Sequence, residues 1–586
     1  MRVLDIRKLS VQYHTEQGEC RALEEMDLHV EEGEITGLVG ESGSGKSTAM
    51  LAVMGLLRGN ASMQSEGITV CGEPAVPGVN IAMIFQNPQS CLNPSVKIGR
   101  QITETVRARR HCGRREARER ALELLDMTGI GNAKVRMRQY PFELSGGMLQ
   151  RVVIAIALAC EPRVIIADEP TTALDAAVQA QILRLLRRIV EETGTALLLV
   201  SHDLGVTASL CRRVYVMRRG RIVESGSVED IFYDPGEEYT KQLLDSVKKK
   251  RKLSEGTKEE SLLRVENLTK EFDTRDGIRD VTLELHEGEI FALAGESGSG
   301  KTTLARILTG ILKEDRGTVF YRDELLERNG RGGGRIQMVF QDPYGSLNPC
   351  LTAGQALDEA LRAAGSPEEK ADREKRRERI RNMMERVGLT EEDMDKYPSE
   401  FSGGQRQRIG IARALIVRPE ILICDEALSS LDAVTQQQIL DLLLDIQKEQ
   451  KIACLFISHD MHVIRRISSR MGVMYGGRLV ETGRTREVCS DPWHPYTKLL
   501  LDAALEADPL RARRIPSISA GKQSTRGRGV QEKGCPFAGE CGYAMKCCTE
   551  QEPEVYRFGE RAVSCFLYSE EHSGRRSRDY IMTSQI

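Results

Sequence analysis

The sequence predicts an α/β protein in which one domain occurs twice in tandem, followed by a short cysteine-rich extension. Motifs of the first half return in the second half in the same order, and each half places a glycine-rich turn between an apolar strand and a helix start. Alternating strands and helices are typical of a parallel sheet with helices packed on its faces. At 586 residues, the chain is also too long for a single hydrophobic core.

The internal repeat predicts the domain organisation. GESGSGKST at 40–48 returns as GESGSGKTT 255 residues later, while ELSGGMLQR, IIADE and LLLVSHD return as EFSGGQRQR, LICDE and CLFISHD 257 residues later. KKKRKLSEGTKEES, between the repeats, has almost no apolar residues and no interleaved aromatics, which favours a solvated linker over a nucleic-acid patch. We therefore predict domains at residues 1–247 and 262–490, a linker at 248–261 and an extension at 491–586.

Composition and charge exclude several classes of protein. A net charge of −3 gives no overall field that would recruit nucleic acid. The longest apolar runs, VVIAIALAC and TALLLV, are shorter than the roughly 18 residues of a membrane span, and the N-terminal segment has no apolar core of an export signal. We expect a cytosolic chain, in which thiols stay reduced and favour metal binding or burial over disulfides.

Both halves carry the phosphate-loop pattern G-x-x-x-x-G-K-[ST] between a strand and a helix. Glycines let backbone N–H groups close around a polyphosphate at the helix N-terminus, the lysine reaches the outer phosphates, and the next hydroxyl binds Mg²⁺. The pattern therefore predicts two nucleotide-binding loops. Their predicted binding residues are Gly40, Gly43, Gly45, Lys46, Ser47 and Thr48 in the first repeat, and Gly295, Gly298, Gly300, Lys301, Thr302 and Thr303 in the second.

Two apolar strands, VIIADE and ILICDE, end in paired carboxylates. Ligands of α/β sheets bind at the carboxyl ends of the parallel strands, so these acids are predicted to lie at the nucleotide. Asp168 and Asp425 are predicted to hold Mg²⁺. Glu169 and Glu426 are predicted to polarise the attacking water as general bases.

In this order, the motifs resemble those of the ATP-binding cassette (ABC) family, and LSGGMLQR and FSGGQRQR match the family's diagnostic signature. The resemblance implies two P-loop ABC ATPase domains, each a mixed sheet core with a helical subdomain. It implies that TALD and SSLD form loops across the dimer interface. It also implies adenine-stacking aromatics (Tyr13, Phe272), glutamines that sense Mg²⁺ and the membrane partner (Gln86, Gln341), and histidine switches at the γ-phosphate (His202, His459).

Cassettes of this family face each other head to tail, which implies composite ATP sites. Ser145 and Gly147 would then complete the site built on Lys301, while the equivalent residues of the second signature would complete the site built on Lys46. Those equivalents are Ser402 and Gly404. Because both glutamates are present, we expect both sites to hydrolyse ATP.

The segment DPWHPYTKLLLDA at 491–503 resembles the C-terminal extension of dipeptide, oligopeptide and nickel importer ATPases, and the first repeat carries the related DPGEEYTKQLLDS. The resemblance implies a motor at the cytoplasmic face of the membrane, with two separate permease subunits and an extracytoplasmic substrate-binding protein as partners. It also implies that the charged, helical segments at 97–140 and 351–397 receive the permeases.

The sequence leaves the cargo open between di- or oligopeptides, nickel or metal chelates, and other small solutes. Leu149 and Ala427 lean towards the nickel-type members. A different class, twin-cassette proteins of translation or DNA repair, has a long charged linker or zinc modules inserted within the cassettes. The short linker here, and cysteines that follow both repeats, argue against that class.

The extension places Cys535, Cys541, Cys548 and Cys565 in a C-x5-C-x6-C-x16-C arrangement. GCPFAGECGYAMKCC resembles the cysteine tail of peptide-importer ATPases, which implies a [4Fe–4S] cluster with these four ligands. Thiolates also suit structural Zn²⁺, unligated thiols remain an alternative, and Cys547 is an alternative ligand to Cys548. We expect a structural role, since nothing in the sequence places the cysteines near the ATP sites. So small a segment with few large apolar side chains would gain most of its order from a metal.

Overall fold

The structure, a computed structural model, describes residues 1–15, 18–172, 174–248, 261–272, 277–327, 334–364, 372–428, 431, 433–512 and 534–569. The chain divides into two units. The first contains Met1–Lys249, Asp432–Val434 and Leu505–Ser517, and the second contains the remaining residues. The predicted linker falls almost wholly outside the described residues.

The first unit contains a mainly parallel sheet and an antiparallel sheet. Its strands are β1 (Arg2–Thr15), β2 (Gly18–Glu31), β3 (Ile35–Val39), β4 (Ala61–Gln64), β5 (Gly67–Val70), β6 (Glu73–Pro74), β7 (Ile81–Ile84), β8 (Val164–Asp168), β9 (Ala196–Ser201), β10 (Arg213–Arg218) and β11 (Arg221–Ser227). The mainly parallel sheet runs β11-β10-β3-β9-β8-β7, and the antiparallel sheet runs β2-β1-β5-β6 with β4 also paired to β1. Every residue of β3, β8 and β9 is buried, as expected for parallel strands covered on both faces.

Helices cover the parallel sheet and form a separate helical layer between β7 and β8. They are α1 (Lys46–Val53), α2 (Pro88–Cys91), α3 (Ile98–Arg110), α4 (Arg114–Met127), α5 (Ala133–Arg136), α6 (Gly146–Ala159), α7 (Ala176–Thr193), α8 (Leu204–Leu210), α9 (Val228–Tyr233) and α10 (Glu238–Lys248). In α3, Ile98, Ile102 and Val106 recur every four residues and pack in one apolar cluster with Ala121 and Leu124 of α4. The predicted helical character of 97–140 follows from this spacing.

The second unit repeats the strand order of the first. Its strands are β12 (Ser261–Glu271), β13 (Gly277–His286), β14 (Ile290–Ala294), β15 (Arg316–Tyr321), β16 (Glu324–Leu325), β17 (Ile336–Val339), β18 (Ile421–Asp425), β19 (Ala453–Ile457), β20 (Arg470–Tyr475), β21 (Arg478–Arg484), β22 (Tyr556–Phe558) and β23 (Arg561–Val563). The sheets run β13-β12-β15-β16 and β17-β18-β19-β14-β20-β21-β23-β22. The prediction of tandem α/β domains is therefore confirmed.

The helices of the second half repeat those of the first and add short ones near the C-terminus. They are α11 (Lys301–Leu308), α12 (Pro343–Ser346), α13 (Ala353–Ala364), α14 (Arg373–Arg386), α15 (Gly403–Leu415), α16 (Ala433–Gln450), α17 (Met461–Ile467), α18 (Thr485–Ser490), α19 (Pro495–Ala503), α20 (Pro509–Ala512) and α21 (Lys546–Glu550). Helix α20 belongs to the first unit, where Tyr233 donates a hydrogen bond of 2.6 Å to Asp508. Among the described helices, none has the length and apolar character of a membrane span.

Residues 534–569, which we call the cysteine module, extend the main sheet of the second unit. Strand β23 pairs antiparallel with β21, with Glu481 opposite Val563. Glu481 is 1% exposed and forms an ion pair of 2.9 Å with Arg561, whose guanidinium lies 3.7 Å from the ring of Trp493. Glu481 also accepts backbone hydrogen bonds from Trp493 and His494. The module is thus attached through β-sheet pairing and a buried ion pair.

Candidate nucleotide-binding sites and cysteine cavity

Each phosphate loop connects a buried central strand to a helix whose N-cap only glycine can occupy. Gly45, between β3 and α1, has a φ of 105°, and a Cβ on it would lie 2.8 Å from the carbonyl oxygen of Ala22. Gly300, before α11, has a φ of 102° and the same close approach, at 2.9 Å, to the carbonyl oxygen of Gly277. The glycines that the motif requires therefore let strand and loop approach closely.

The lysine of each loop is buried and directed into the loop. Lys46 Nζ donates to the carbonyl oxygens of Gly40 at 2.8 Å and Glu41 at 2.7 Å. Lys301 Nζ donates to those of Gly295 and Glu296 at 2.9 and 2.7 Å. Since phosphate oxygens are stronger acceptors than neutral carbonyls, a bound polyphosphate can take over these donors.

In each unit, the aspartate and the loop hydroxyl predicted to hold Mg²⁺ lie close together at the carboxyl end of one strand, β8 in the first unit and β18 in the second. Asp168 Oδ1 is buried and accepts no hydrogen bond within the described structure, and burial raises the pKa of this carboxyl against the opposing hydrogen bond from Ser47. In the second unit, Thr302 donates to Asp425 at 3.2 Å, and burial again raises the pKa of Asp425. A carboxylate beside a hydroxyl suits Mg²⁺, which prefers oxygen ligands. The positive charge of the ion would also stabilise the ionised form of the buried aspartate.

The two glutamates predicted as general bases have a strained backbone. Glu169 and Glu426 both have a φ of 46°, in the left-handed region that side-chain-bearing residues rarely occupy. Their backbone N–H groups donate to the carbonyl oxygens of Val200 and Ile457, at 2.9 and 3.0 Å, which holds the turn in place. Strain of this kind is characteristic of functional positions, and here it occurs at the same position in both repeats.

Donors surround the carboxylate of Glu169. Gln86 Nε2 donates to Oε2 at 2.7 Å, Thr172 donates to the same oxygen at 3.0 Å, and His202 Nδ1 lies 2.8 Å from Oε1. Burial by itself raises the pKa of Glu169, but His202 and Thr172 outweigh burial and lower it. The hydrogen bond with Glu169 in turn raises the pKa of His202 despite burial. The first site therefore holds an ionised glutamate beside a readily protonated histidine.

The second site has the same residues in a looser arrangement. Gln341 Nε2 donates to Glu426 Oε2 at 2.9 Å, whereas His459 Nδ1 lies 3.6 Å from Glu426 Oε1. Attraction between the two groups still lowers the pKa of Glu426 and raises that of His459 against burial. In both repeats, the glutamine predicted to sense Mg²⁺ thus contacts the glutamate predicted as general base.

The signature residues begin the helices α6 and α15. Ser402 accepts a hydrogen bond from the backbone of Gln405 in a capping box, while Ser145 forms no side-chain cap within the described residues. A Cβ on Gly147 would lie 2.5 Å from Val178 of α7, so the signature glycine also serves close helix packing. Gly404 has the equivalent constraint against α16. The composite sites remain predictions, and Ala173, Ser429, Ser430 and Asp432 of TALD and SSLD lie outside the described residues.

The two predicted adenine-stacking aromatics lie beside the strands that contact the phosphate loops. Tyr13 of β1 pairs with Cys20 of β2, the strand that approaches Gly45. Phe272 directly follows β12 and is 38% exposed, with Lys270 Nζ 5.7 Å from the centre of its ring. Each aromatic therefore lies on, or directly after, the strand that pairs with the one contacting the phosphate loop, and adenine stacking remains a prediction.

The four predicted cysteine ligands line one small cavity that is partly open to solvent. All four are free thiols, and burial raises their pKa, to about 11 for Cys535 and about 12 for Cys565. Backbone N–H groups of Tyr543 and Met545 donate to the sulfurs of Cys541 and Cys548, each at 3.4 Å. Within the described residues, no three His, Cys, Asp or Glu side chains are grouped closely enough to hold a metal ion. Cysteine sulfurs are suitable ligands for an iron–sulfur cluster or Zn²⁺, but in this structure the four sulfurs are not close enough to one another to form a metal site.

Sequence reasoning missed the residues that connect the cysteine cavity to the second phosphate loop. His494 lines the cavity, and the ring of Phe537 lies 5.5 Å from that of Tyr496, whose hydroxyl accepts a hydrogen bond from the Glu296 N–H. Nothing in the sequence places the cysteines near an ATP site, whereas these contacts join the cysteine module to the second phosphate loop. The tyrosine shared by DPGEEYTK and DPWHPYTK was the available signal.

Comparison with sequence families gives two matches. The family model described as ABC transporter matches residues 23–172 and 278–429. The model described as Oligopeptide/dipeptide transporter, C-terminal region, matches residues 480–548, which include three of the four cysteines. The matched ranges contain both phosphate loops, both signatures and the contact region between α19 and the cysteine module.

Two relatives match most of the chain, and one solved structure shares its fold. The chain is 39% identical over 574 residues to the Glutathione import ATP-binding protein GsiA of Salmonella choleraesuis (strain SC-B67), covering 87% of this chain and 91% of the relative. It is 40% identical over 575 residues, with the same coverage, to GsiA of Escherichia coli (strain K12). The archaeal ribosome recycling factor aABCE1, solved with the stalk protein aP1, shares the tandem fold at 20% identity and a TM-score of 0.55, covering 80% of this chain and 88% of that one.

Proposed function

Because the chain belongs to the ABC transporter family of ATP-hydrolysing proteins, we propose that it is the fused motor subunit of a peptide importer that acts on separate permease subunits. The observation that carries the proposal is the match at 480–548 to the oligopeptide and dipeptide transporter region, in a chain 39% identical to a glutathione import protein over most of its length. In this assembly the chain lies on the cytoplasmic face of the cell membrane, and an extracytoplasmic binding protein delivers the cargo.

Peptide cargo is favoured over the alternatives. Both relatives are named for the import of glutathione, itself a tripeptide, and a match over most of the chain outweighs the two single residues, Leu149 and Ala427, that favour nickel. The likeness to a ribosome recycling factor, at 20% identity, concerns the fold alone. We therefore propose di- and oligopeptides, including glutathione-like peptides, as the cargo class.

The proposed chemistry uses side chains that the loops and strand ends bring together. Lys46 and Lys301 bind the outer phosphates, and Asp168 and Asp425, with the adjacent loop hydroxyls, hold Mg²⁺, which neutralises phosphate charge when bound. Glu169 accepts a proton from the attacking water, and its ionised state suits this role. Its counterpart in the second site acts in the same way.

We further propose that each ATP lies between the phosphate loop of one cassette and the signature of the other. The cassettes extend over residues 1–247 and 262–490, joined by the linker at 248–261 and followed by the extension at 491–586. In this arrangement, closure on ATP requires both halves of the chain. The partners of the phosphate loops are Ser402 and Gly404 for the first loop, and Ser145 and Gly147 for the second.

Native cysteines offer a direct test of permease docking. Cys91 lies five residues after Gln86, Cys350 lies nine residues after Gln341, and both are exposed. We expect a short cross-linker, with a maleimide at one end and an amine-reactive ester at the other, to join each of these thiols to a permease lysine in the detergent-solubilised complex, because the glutamine loops and helical layers are the proposed docking surface. Mass spectrometry of the cross-linked peptides gives the measurement.

Cys20 and Cys71, exposed on the antiparallel sheet of the first unit, are the matched controls and should remain unlinked. Cross-links confined to these two cysteines, or a ribosomal or DNA partner in place of a permease, would contradict the proposal. The same complex in vesicles reports the cargo: peptide uptake is expected to depend on ATP, and nickel uptake to stay at background.

We also propose that Cys535, Cys541, Cys548 and Cys565 bind a [4Fe–4S] cluster. The support is that these thiols line one cavity, that none is in a disulfide, and that backbone N–H groups already donate to two of the sulfurs. The raised thiol pKa values mean that binding must release protons, so affinity should fall as pH falls. Structural Zn²⁺ is the alternative occupant.

Adjacent cysteines allow a matched test of the ligand assignment. Anaerobically purified chain is expected to contain iron and sulfide in equal amounts, about four of each per chain. Cys548→Ser should lose most of both, because Cys548 lines the cavity, whereas Cys547→Ser should retain them. One zinc per chain would refute the cluster. Metal-free protein in which Cys548→Ser changes nothing would refute the ligand assignment altogether.

A further inference from the structure

Tyr496 connects the region after the second cassette to the second phosphate loop. Its side chain is 0% exposed, and its hydroxyl accepts a 2.9 Å hydrogen bond from the N–H of Glu296. The carbonyl of the same Glu296 accepts a 2.7 Å hydrogen bond from Lys301 Nζ. One residue of the loop is therefore held by Tyr496 on one side and by the phosphate-binding lysine on the other.

The first cassette contains the same contact, which makes it an internal reference. Tyr239 accepts a hydrogen bond from the N–H of Glu41 at 3.2 Å, and the carbonyl of Glu41 accepts one from Lys46 at 2.7 Å. The two cassettes differ in the side chains that pack on the ring of this tyrosine. In the first cassette, the guanidinium of Arg218 lies 4.6 Å from the ring centre of Tyr239.

In the second cassette, aromatic rings pack on the tyrosine, and one belongs to the cysteine module. Tyr475, at the position equivalent to Arg218, lies 4.5 Å from Tyr496, and Phe537 of the module lies 5.5 Å from it. Phe537 also contacts Tyr475 edge to face at 5.2 Å. Phe537 is 2% exposed and Tyr475 is partly exposed, so the three rings form one cluster whose centre, at Tyr496 and Phe537, is buried.

A hairpin provides a second connection between the module and the loop. At the turn between β20 and β21, the N–H of Gly477 donates to the carbonyl of Ser299 in the phosphate loop at 3.1 Å. A Cβ on the preceding Gly476 would lie 2.8 Å from Pro536 of the module. The first cassette has an exposed arginine, Arg219, at that position, with a similar φ of 48° against 54° for Gly476.

The glycine at position 476 is therefore explained by its contact with the module. Because Arg219 adopts this backbone conformation in the first repeat, the conformation alone does not demand glycine. What a side chain at Gly476 would meet is Pro536, which packs directly on the turn. The second cassette is thus shaped on its phosphate-loop side to receive the cysteine module.

We propose that the cysteine module positions the second phosphate loop, and that Tyr496 and the Gly476–Gly477 turn transmit its packing to Glu296 and Ser299. The module then strengthens nucleotide binding at Lys301 and has no equivalent at Lys46 among the described residues, so the two ATP sites differ in what controls them. The inference depends on ATP binding at these loops, and on neither the cargo nor the group that the thiols hold. Tyr496 is a positioning residue, since it acts through the loop backbone.

An acyl-phosphate derivative of ATP, which acylates lysines beside bound phosphates, reports on both loops of the full chain in one sample. The measurement is the ATP concentration that half-protects Lys301 and Lys46, read from the labelled peptides. Gly476→Arg introduces the residue of the first repeat and displaces Pro536, and Phe537→Ala removes the ring. Each is expected to raise the half-protecting concentration at Lys301 about three- to ten-fold, the equivalent of about one hydrogen bond, and to leave Lys46 unchanged.

Matched variants distinguish a specific effect on the position of the second phosphate loop from a general loss of folding. Tyr496→Phe keeps the ring and removes the hydroxyl, so it should weaken protection at Lys301 alone, whereas Tyr239→Phe should weaken protection at Lys46 alone. Phe537→Leu should restore part of what Phe537→Ala loses. An unchanged value at Lys301 in both module variants would overturn the proposal, and so would an equal change at the two lysines.

Discussion

Replacing both Glu169 and Glu426 by glutamine is expected to lower steady-state ATP hydrolysis by about 10²- to 10⁴-fold, the usual contribution of a general base. Each single substitution should remove the hydrolysis of its own site. Glutamine preserves the shape of the side chain and can still accept hydrogen bonds from Gln86 or Gln341, so nucleotide binding should persist. Phosphate release measures turnover, and protection of the two loop lysines measures binding.

The control is Glu191→Gln, the same chemical change at an exposed position of α7, which should leave turnover unchanged. Two equivalent sites require that either single substitution lowers the rate. If Glu169→Gln abolishes turnover and Glu426→Gln leaves it intact, or the reverse, the expectation of two hydrolytic sites fails. The looser His459–Glu426 distance, 3.6 Å against 2.8 Å in the first site, makes the second site the one to examine first.

Arg561→Met is expected to release the cysteine module from the second cassette. Glu481, on β21, is buried opposite Arg561, and without this partner it would keep only the backbone N–H donors of Trp493 and His494 within the described residues. Leaving a buried charge without its partner costs about 3–5 kcal/mol, a large fraction of what so small a module can gain by docking. Alkylation of Cys535 and Cys565, followed by mass spectrometry, would measure the release.

Arg484→Met is the matched control on the same strand. Arg484 forms an ion pair of 2.7 Å with Glu560 of the module, but both side chains are about half exposed, so the pair is worth at most about 1 kcal/mol. We expect thiol protection to survive Arg484→Met and to be lost in Arg561→Met. Equal protection in the two variants would mean that the sheet pairing between β21 and β23 holds the module without the buried pair.

Much of the candidate site could be predicted because its chemistry is local in the sequence. The loop glycines, the lysine and the Mg²⁺ hydroxyl lie within nine consecutive residues of each repeat, and strand ends fix the acids beside them. The contacts of Gln86 and His202 with Glu169 were not predicted, because they join side chains 83 and 33 residues away from it. Nor could the left-handed backbone of Glu169 be read from the motif, because it depends on the hydrogen bond to Val200 of the neighbouring strand.

Two nucleotide-binding α/β domains in one chain could be predicted from the sequence, since the motif spacing and the apolar strands repeat in register. The position of the cysteine module against the second phosphate loop could be found only in the folded chain. The hydrogen bond between Tyr496 and Glu296 spans 200 residues, and Arg561 is paired with Glu481 across 80. Such contacts depend on how β23 pairs with β21 and on how α19 packs. That packing is set by side chains that are far apart in the sequence and are buried together, so no local sequence pattern encodes it.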